Sequence, residues 1–199
     1  MSSIPKPHDQ RYTVADYLTW SDEERWELID GVAYDMSPAP TIKHQNVAGE
    51  FYVQLSQKLR GKSCQPIIAP VDVVLSERDV VQPDVIVVCD PGKITEKNIR
   101  GAPDLVVEVL SPYTATKDLR EKKALYERAG VNEYLLIDPL EEYAQAFRLG
   151  DDGYFGAGAI YGPNEVLPLQ SLENLEVALW EVFGLPQPGS EPPTDRPHP

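Results

Sequence analysis

The chain has 199 residues, of which 42% are hydrophobic and 25% charged, enough for one well-packed domain rather than two. Its formal net charge of -14 excludes a protein that holds nucleic acid on an overall basic surface, so any face that meets phosphate must be local. No apolar run reaches membrane-span length, and the opening MSSIPKPHDQ lacks the apolar centre of a signal peptide. Cys64 and Cys89 are too few for a disulfide framework and lack metal-ligand spacing. Together these features point to a soluble cytoplasmic protein.

In chain order, the first ten residues read as a loose lead-in. Thr13 and Ser21 suit N-caps of two short helices, TVADYLTW and SDEERWELI, with Glu24 completing a capping-box pattern after Ser21. Gly31 ends the second helix, and VAYDM follows as a strand. The spacing of Val47, Phe51, Leu55 and Leu59 predicts a long helix from about Ile42 to Arg60, stopped by Gly61. PVDVVL alternates as a strand with SERD as its turn, and VVQPDVIVV is an apolar run broken by Pro83, so its strand begins near Asp84. The polar link DPGKITEKNIRGA leads to the strand DLVVEVL, and a helix from about Ala115 to Ala129 is closed by Gly130. EYLLID and YAQAFRL form a strand pair around Pro139, GDDG turns into YFGAGAI, and LENLEVALWEVFG reads as a short helix. The expected organisation is one domain over 1–185 and a proline-rich disordered tail over 186–199. Helices flanking a mixed sheet make the fold class α/β, in its mixed α+β form.

Two acids disturb otherwise apolar strands. Asp84 stands at the entrance of VIVV, and Glu108 lies in the middle of LVVEV. A buried carboxylate costs several kcal/mol or more unless it is paired or bound. On neighbouring strands the two would share one side of a sheet and offer hard oxygen ligands to Mg²⁺ or Mn²⁺; the alternative is that each pairs with a core Arg or caps backbone donors. On a wheel of the next helix, Lys122 falls within the apolar stripe of Ala115, Tyr126 and Ala129, while Lys123 lies at its edge and Arg120, Glu121, Glu127 and Arg128 point away. A lysine facing a sheet needs an anion, and Glu108 is the natural one, unless the ammonium snorkels to solvent. Basic residues concentrate between Lys93 and Arg128, mostly as a solvated helix face. Two carboxylates and a lysine around a metal suit phosphodiester hydrolysis: the metal polarises the phosphoryl oxygen, and the lysine orients or activates the attacking water.

The stretches WELIDG, VVQPDVIVV, GAPDLVVEVLSP and KKALYERAGVNEYLLIDP, in that order, resemble the Uma-type restriction-endonuclease family of the PD-(D/E)XK nuclease superfamily, over about Arg11 to Leu149. The resemblance implies a restriction-endonuclease-like core, a mixed central β-sheet flanked by helices. It also implies a Mg²⁺-dependent endonuclease, Mn²⁺ substituting, with DNA as substrate. The superfamily aspartate maps to Asp84 and its acidic partner to Glu108. The superfamily lysine belongs two positions after the acid, where this chain has Leu110; in the resembling family it comes from the following helix, at the position of Lys122. Glu27 matches an acid often found on the first helix and facing the metal, or is an ordinary exposed helix glutamate. His44, on the core-facing stripe of the long helix, is a core residue or a substrate contact. Asp72 is a ligand or the solvent side of its strand, and Asp104 opens its strand. Ser111 and Asp118 would hold Glu108 or Lys122 in place.

The expected function is a metal-dependent DNA endonuclease. The alternatives are a catalytically idle binding or regulatory module of the same fold, or a hydrolase of a small phosphorylated substrate. A homodimer is expected because cutting two strands suits a two-fold arrangement, and DPGKITEKNIRGA is the candidate substrate-facing loop.

Overall fold

A computed structural model describes residues 9–21, 25–36, 39–112 and 114–189. Helix α1 (Val14–Tyr17) is capped by Thr13 and Asp16 in a reciprocal capping box. Then come β1 (Trp26–Ile29), β2 (Val32–Asp35) and the long helix α2 (Ile42–Lys58), followed by β3 (Gln65–Ile68), β4 (Asp72–Ser76), β5 (Asp79–Val81), β6 (Val85–Val88), β7 (Asn98–Arg100) and β8 (Leu105–Val109). A helical segment follows as α3 (Ala115–Lys117), a π-helical turn over Asp118–Lys122, and α4 (Lys123–Ala129). The chain closes with β9 (Glu133–Asp138), β10 (Tyr143–Arg148), β11 (Ala159–Tyr161), β12 (Val166–Leu169), β13 (Leu175–Ala178) and α5 (Leu179–Val182).

The strands form a six-stranded mixed sheet in the order β11-β10-β9-β8-β6-β3, a five-stranded sheet β2-β1-β5-β4-β7, and the hairpin β12-β13. In the larger sheet β8 and β9 run parallel, and the helical segment between them crosses over, as a parallel pair requires. Side-chain alternation divides that sheet between two cores. Val85, Val87, Leu105, Val107, Leu135 and Ile137 pack with Val47, Phe51 and Leu55 of α2 and with Leu167 and Val177 of the hairpin. Ile86, Val106, Tyr134 and Leu136 pack with Leu125 and Tyr126 of α4 and with Ile29, Val73 and Ile99 of the smaller sheet. The fold is thus the mixed sheet with flanking helices that the sequence implies, with a second sheet added on one face.

Two local expectations fail. The helix over SDEERWELI is not formed: residues 26–29 are strand β1, paired on both sides by β2 and β5. All its side chains are buried, which an amphipathic helix could not achieve. Asp30 and Gly31, at φ 52° and 73°, form the two-residue hairpin turn, and Asp-Gly is itself a strong hairpin signal. Glu24 of the expected capping box lies outside the described residues. Residues 172–184 are not one helix either: Glu173 and Asn174 adopt positive φ, after which β13 alternates before turning into α5. The break expected at Pro83 is present: β6 begins at Val85, and the run 80–88 is split between two sheets, because Pro83 cannot continue a ladder. Of the expected tail, 186–189 carries no helix or strand, and 190–199 lies outside the described residues.

Cys64 and Cys89, set aside in the sequence, are joined as a disulfide. No helix among the described residues is long and apolar enough to cross a membrane.

Candidate active site

The register of β6 against β8 builds the first part of the site. Val85 pairs with Val107, so the next residues outward, Asp84 and Glu108, come side by side. β6 stops there while β8 continues, and Asp84 Oδ2 accepts the Val109 N–H at 2.8 Å in place of a ladder bond. The same oxygen lies 3.3 Å from Nε2 of His44 on α2. Burial alone would lower the His44 pKa, but its hydrogen bond to Asp84 and that carboxylate's charge outweigh burial and raise it.

The π-helical turn supplies the cation. Lys122 is 3% exposed, and its Nζ lies 2.8 Å from Glu108 Oε1, 2.7 Å from Glu27 Oε1 and 3.8 Å from Asp118 Oδ1. Glu27 is fully buried on β1; its second oxygen meets Lys117 Nζ at 2.6 Å, and its first also accepts the Gln82 N–H at 3.0 Å. Burial pushes the Glu27 carboxyl up, yet Lys122 and Lys117 overcome it and hold the pKa down at about 2. Glu108 fares differently. Burial, with the carboxylates of Asp118, Asp84 and Glu27, outweighs Lys122 and pushes it up to about 8. The Tyr126 hydroxyl donates to Glu108 Oε1 at 2.7 Å. Asp118, also raised chiefly by burial, keeps Oδ1 buried without a hydrogen bond.

These groups line one cavity of about 440 Å³, walled by Glu27, His44, Asp84, Glu108, Ser111, Asp118 and Lys122, and by Arg25, Tyr34, Gln82 and Lys117. Among the described residues no hydrogen bond falls on Oδ1 of Asp84 or Oε2 of Glu108. Two uncommitted carboxylate oxygens fit Mg²⁺, which binds through one or two carboxylates and keeps waters for the rest of its shell. They do not make a closed cage: among the described residues no three His, Cys, Asp or Glu side chains converge as a metal-binding group.

Glu27, His44, Asp84, Glu108, Ser111, Asp118 and Lys122, all singled out in the sequence, thus meet at one place, while Asp72 and Asp104 do not. Glu27 is neither on a helix nor exposed. Ser111 opens the crossover, its Oγ 3.0 Å from the Thr114 hydroxyl. Asp72 is half-buried rather than on a solvent side; it binds Tyr17 and Gln82 and lies outside this cavity. Asp104 accepts the Cys89 N–H at 2.7 Å, as a strand-opening acid should. The loop over 90–102 contributes nothing to the cavity wall. Lys117 was missed. An α-helical wheel puts residues five apart on different faces, whereas a π-turn, bonded i to i+5, stacks them. Lys117 and Lys122 therefore grip the two oxygens of one carboxylate.

Comparison with known proteins agrees with this architecture. A model of the family described as "Uma2: Putative restriction endonuclease" matches residues 14–180. "Uncharacterized protein slr1290" of Synechocystis sp. (strain PCC 6803) is 28% identical over 142 residues, 69% of this chain and 74% of that protein. A crystal structure from Anabaena variabilis, described as a putative nuclease belonging to DUF820, superposes with a TM-score of 0.71 at 18% identity, over 86% of this chain and 97% of that one. That likeness shows a shared fold. Because the family match spans most of the chain, this protein belongs to the Uma2 family.

Proposed function

We propose that this chain is a metal-dependent endonuclease hydrolysing DNA phosphodiester bonds, with Asp84 and Glu108 holding Mg²⁺ (Mn²⁺ substituting) and with Lys122 and Glu27 completing the site. One observation carries the reading: Asp84 and Glu108 turn uncommitted oxygens to a cavity in which Lys122 is buried against Glu108. A chain with no use for this cluster would gain by replacing it with apolar residues, since a buried ion pair seldom stabilises more than well-packed hydrophobes. When bound, the metal supplies a Lewis acid for the phosphoryl oxygen and lowers the pKa of a bound water.

The chain's own groups have distinct tasks. His44 and the Val109 N–H fix Asp84 through Oδ2, leaving Oδ1 free to bind. Tyr126 and Lys122 fix Glu108 through Oε1, leaving Oε2. Lys122 acts as a fixed positive charge rather than as a base, because a neutral amine would strand the buried carboxylates of Glu27 and Glu108. It orients the attacking water and offsets charge developing on the phosphoryl group. Lys117 and Arg25, both on the cavity wall, give a chain of net charge -14 a local positive approach for phosphate. A single domain over 1–185, a cytoplasmic setting and a homodimer that addresses both strands belong to the same reading.

The test is incubation of the protein with plasmid and with single-stranded DNA in Mg²⁺, Mn²⁺ or chelator, beside Asp84→Ala and Lys122→Ala. Metal-dependent nicking lost in both variants is expected. Nicking that survives in either variant sinks the site assignment. Wild-type protein that binds Mn²⁺ and cuts nothing is instead an idle binding module.

A further inference from the structure

A second cavity, about 310 Å³, opens beside the first and shares Arg25 and Gln82 with it. Its other walls include Tyr17, Trp20, Pro70 and Asp72. We propose that this cavity receives the base of an unpaired nucleotide adjoining the phosphodiester at Asp84 and Glu108, and that Asp72 selects bases bearing an exocyclic amine. The proposal rests on the nuclease reading above and adds a substrate class to it: single-stranded or locally opened DNA.

The aromatic wall is built before any ligand arrives. The Trp20 ring stands edge-on to Tyr17, Tyr12 and Trp26 at centroid distances of 5.4, 5.2 and 6.0 Å, so little ordering is left to be done on binding. Every base has a π-face, and stacking on aromatic side chains is how single strands are generally held. A base inside a duplex is stacked and paired already, so only an unpaired or extruded one can enter.

Asp72 adds selectivity. Its Oδ1 accepts the Tyr17 hydroxyl at 3.0 Å and Gln82 Nε2 at 2.8 Å, and among the described residues no hydrogen bond falls on Oδ2. A fixed carboxylate oxygen accepts from N4 of cytosine or N6 of adenine and repels O4 of thymine. It also repels phosphate, which leaves the backbone to the neighbouring cavity with its lysines and metal-binding oxygens. Gln82 ties the two sites together, since its backbone N–H binds Glu27 while its side chain binds Asp72.

The experiment is fluorescence anisotropy of labelled homo-oligonucleotides of deoxycytidine, deoxyadenosine and thymidine, with chelator present so that nothing is cut. Wild-type protein should bind the first two about tenfold more tightly than the third, one good hydrogen-bonded contact's share of affinity. Asp72→Asn keeps an Oδ1 acceptor for Tyr17, so it should fold normally and shrink that preference below about twofold. Trp20→Leu should weaken all three oligonucleotides about tenfold. Equal binding of the three by wild type, binding of none, or a preference that survives Asp72→Asn overturns the proposal. The same oligonucleotides with Mn²⁺ separate it from the nuclease reading. Base-selective binding without cleavage supports the pocket and refutes the nuclease, whereas cleavage with no base preference does the reverse.

Discussion

Replacing Lys122 with methionine removes a charge while keeping an unbranched chain of similar reach, so its cost measures what the ammonium does for the folded state. Lys122 is 3% exposed and touches Glu27 and Glu108 at 2.7 and 2.8 Å. Removing one partner of a buried pair costs about 3–5 kcal/mol, mostly for the charge left behind. Glu27 retains Lys117 at 2.6 Å, so it stays paired. Glu108 retains only the Tyr126 hydroxyl; burial and the neighbouring carboxylates already push its carboxyl up to about 8 against the pull of Lys122, and without that pull it rises further and takes up a proton in place of the lysine. One carboxylate is stranded rather than two, which sets the expected loss near the lower bound, about 3 kcal/mol. With a urea m-value of about 2 kcal/mol/M, the unfolding midpoint falls by roughly 1.5 M. Above about pH 8 wild-type Glu108 ionises while the variant's still holds a proton that the unfolded state does not, so the loss grows as pH is raised through that range. In the Lys122→Met background, Glu108→Gln removes the need for that proton and should restore about half of the loss, a coupling that a double-mutant cycle detects. A single variant within about 1 kcal/mol of wild type, or two variants whose effects simply add, would refute this account of the cluster.

Other consequences can be checked independently. Mn²⁺ at about 100 times its Kd should stabilise the wild type by about 2.7 kcal/mol in a thermal melt, and neither Asp84→Asn nor Glu108→Gln should respond; a retained shift would place the ion elsewhere. Gly31→Ala puts a Cβ 2.7 Å from the Tyr12 carbonyl oxygen at φ +73°, so it should cost about 1–3 kcal/mol and lower Tm by several degrees; an unchanged Tm contradicts the hairpin geometry. Glu133 is fully buried and binds Arg148 Nε at 2.9 Å and the Ser171 N–H at 3.0 Å. Glu133→Ala should therefore cost about 3 kcal/mol, and hydrogen exchange should accelerate first in β12 and β13. Phe51→Ala on α2, at 0% exposure, should cost about 3–5 kcal/mol in urea unfolding, and a value below about 1 kcal/mol would deny α2 its place over the sheet.

Long, periodic elements were legible in the sequence, and short ones with buried faces were not. α2 follows its Val47-Phe51-Leu55 stripe, and Thr41 caps it by accepting the His44 N–H at 3.2 Å. β8 and β9 read as apolar runs because both of their faces are covered. Trp26-Glu27-Leu28-Ile29 defeats the same logic. Its neighbours Ser21 and Glu24 mimic a helix start, while the fact that decides it, a place between β2 and β5, lies in residues far along the chain. Tertiary pairing overrode local propensity there, and Glu27, expected on a helix either facing a metal or exposed, lies on a strand and is among the most buried residues described.

Within the site, what the sequence concealed is which atoms must coincide rather than which residues carry charge. Lys122 was recoverable from a wheel, although Ala115 and Ala129 of the expected stripe are only half-buried, and the buried face runs through Asp118, Lys122, Leu125 and Tyr126. Lys117 was not recoverable, since only the π-turn brings it over Glu27. The same geometry explains why Leu110, where the superfamily pattern puts its lysine, need not be basic. Leu110 sits at the end of β8, 7% exposed in the core beneath α4. A lysine there would have to displace that packing. The ammonium arrives instead from the crossover, which must pass over this end of the sheet to join β8 to the parallel strand β9. The positive charge thus stands 2.8 Å from Glu108 without a basic residue on β8, because a backbone segment obliged to cross that spot delivers it.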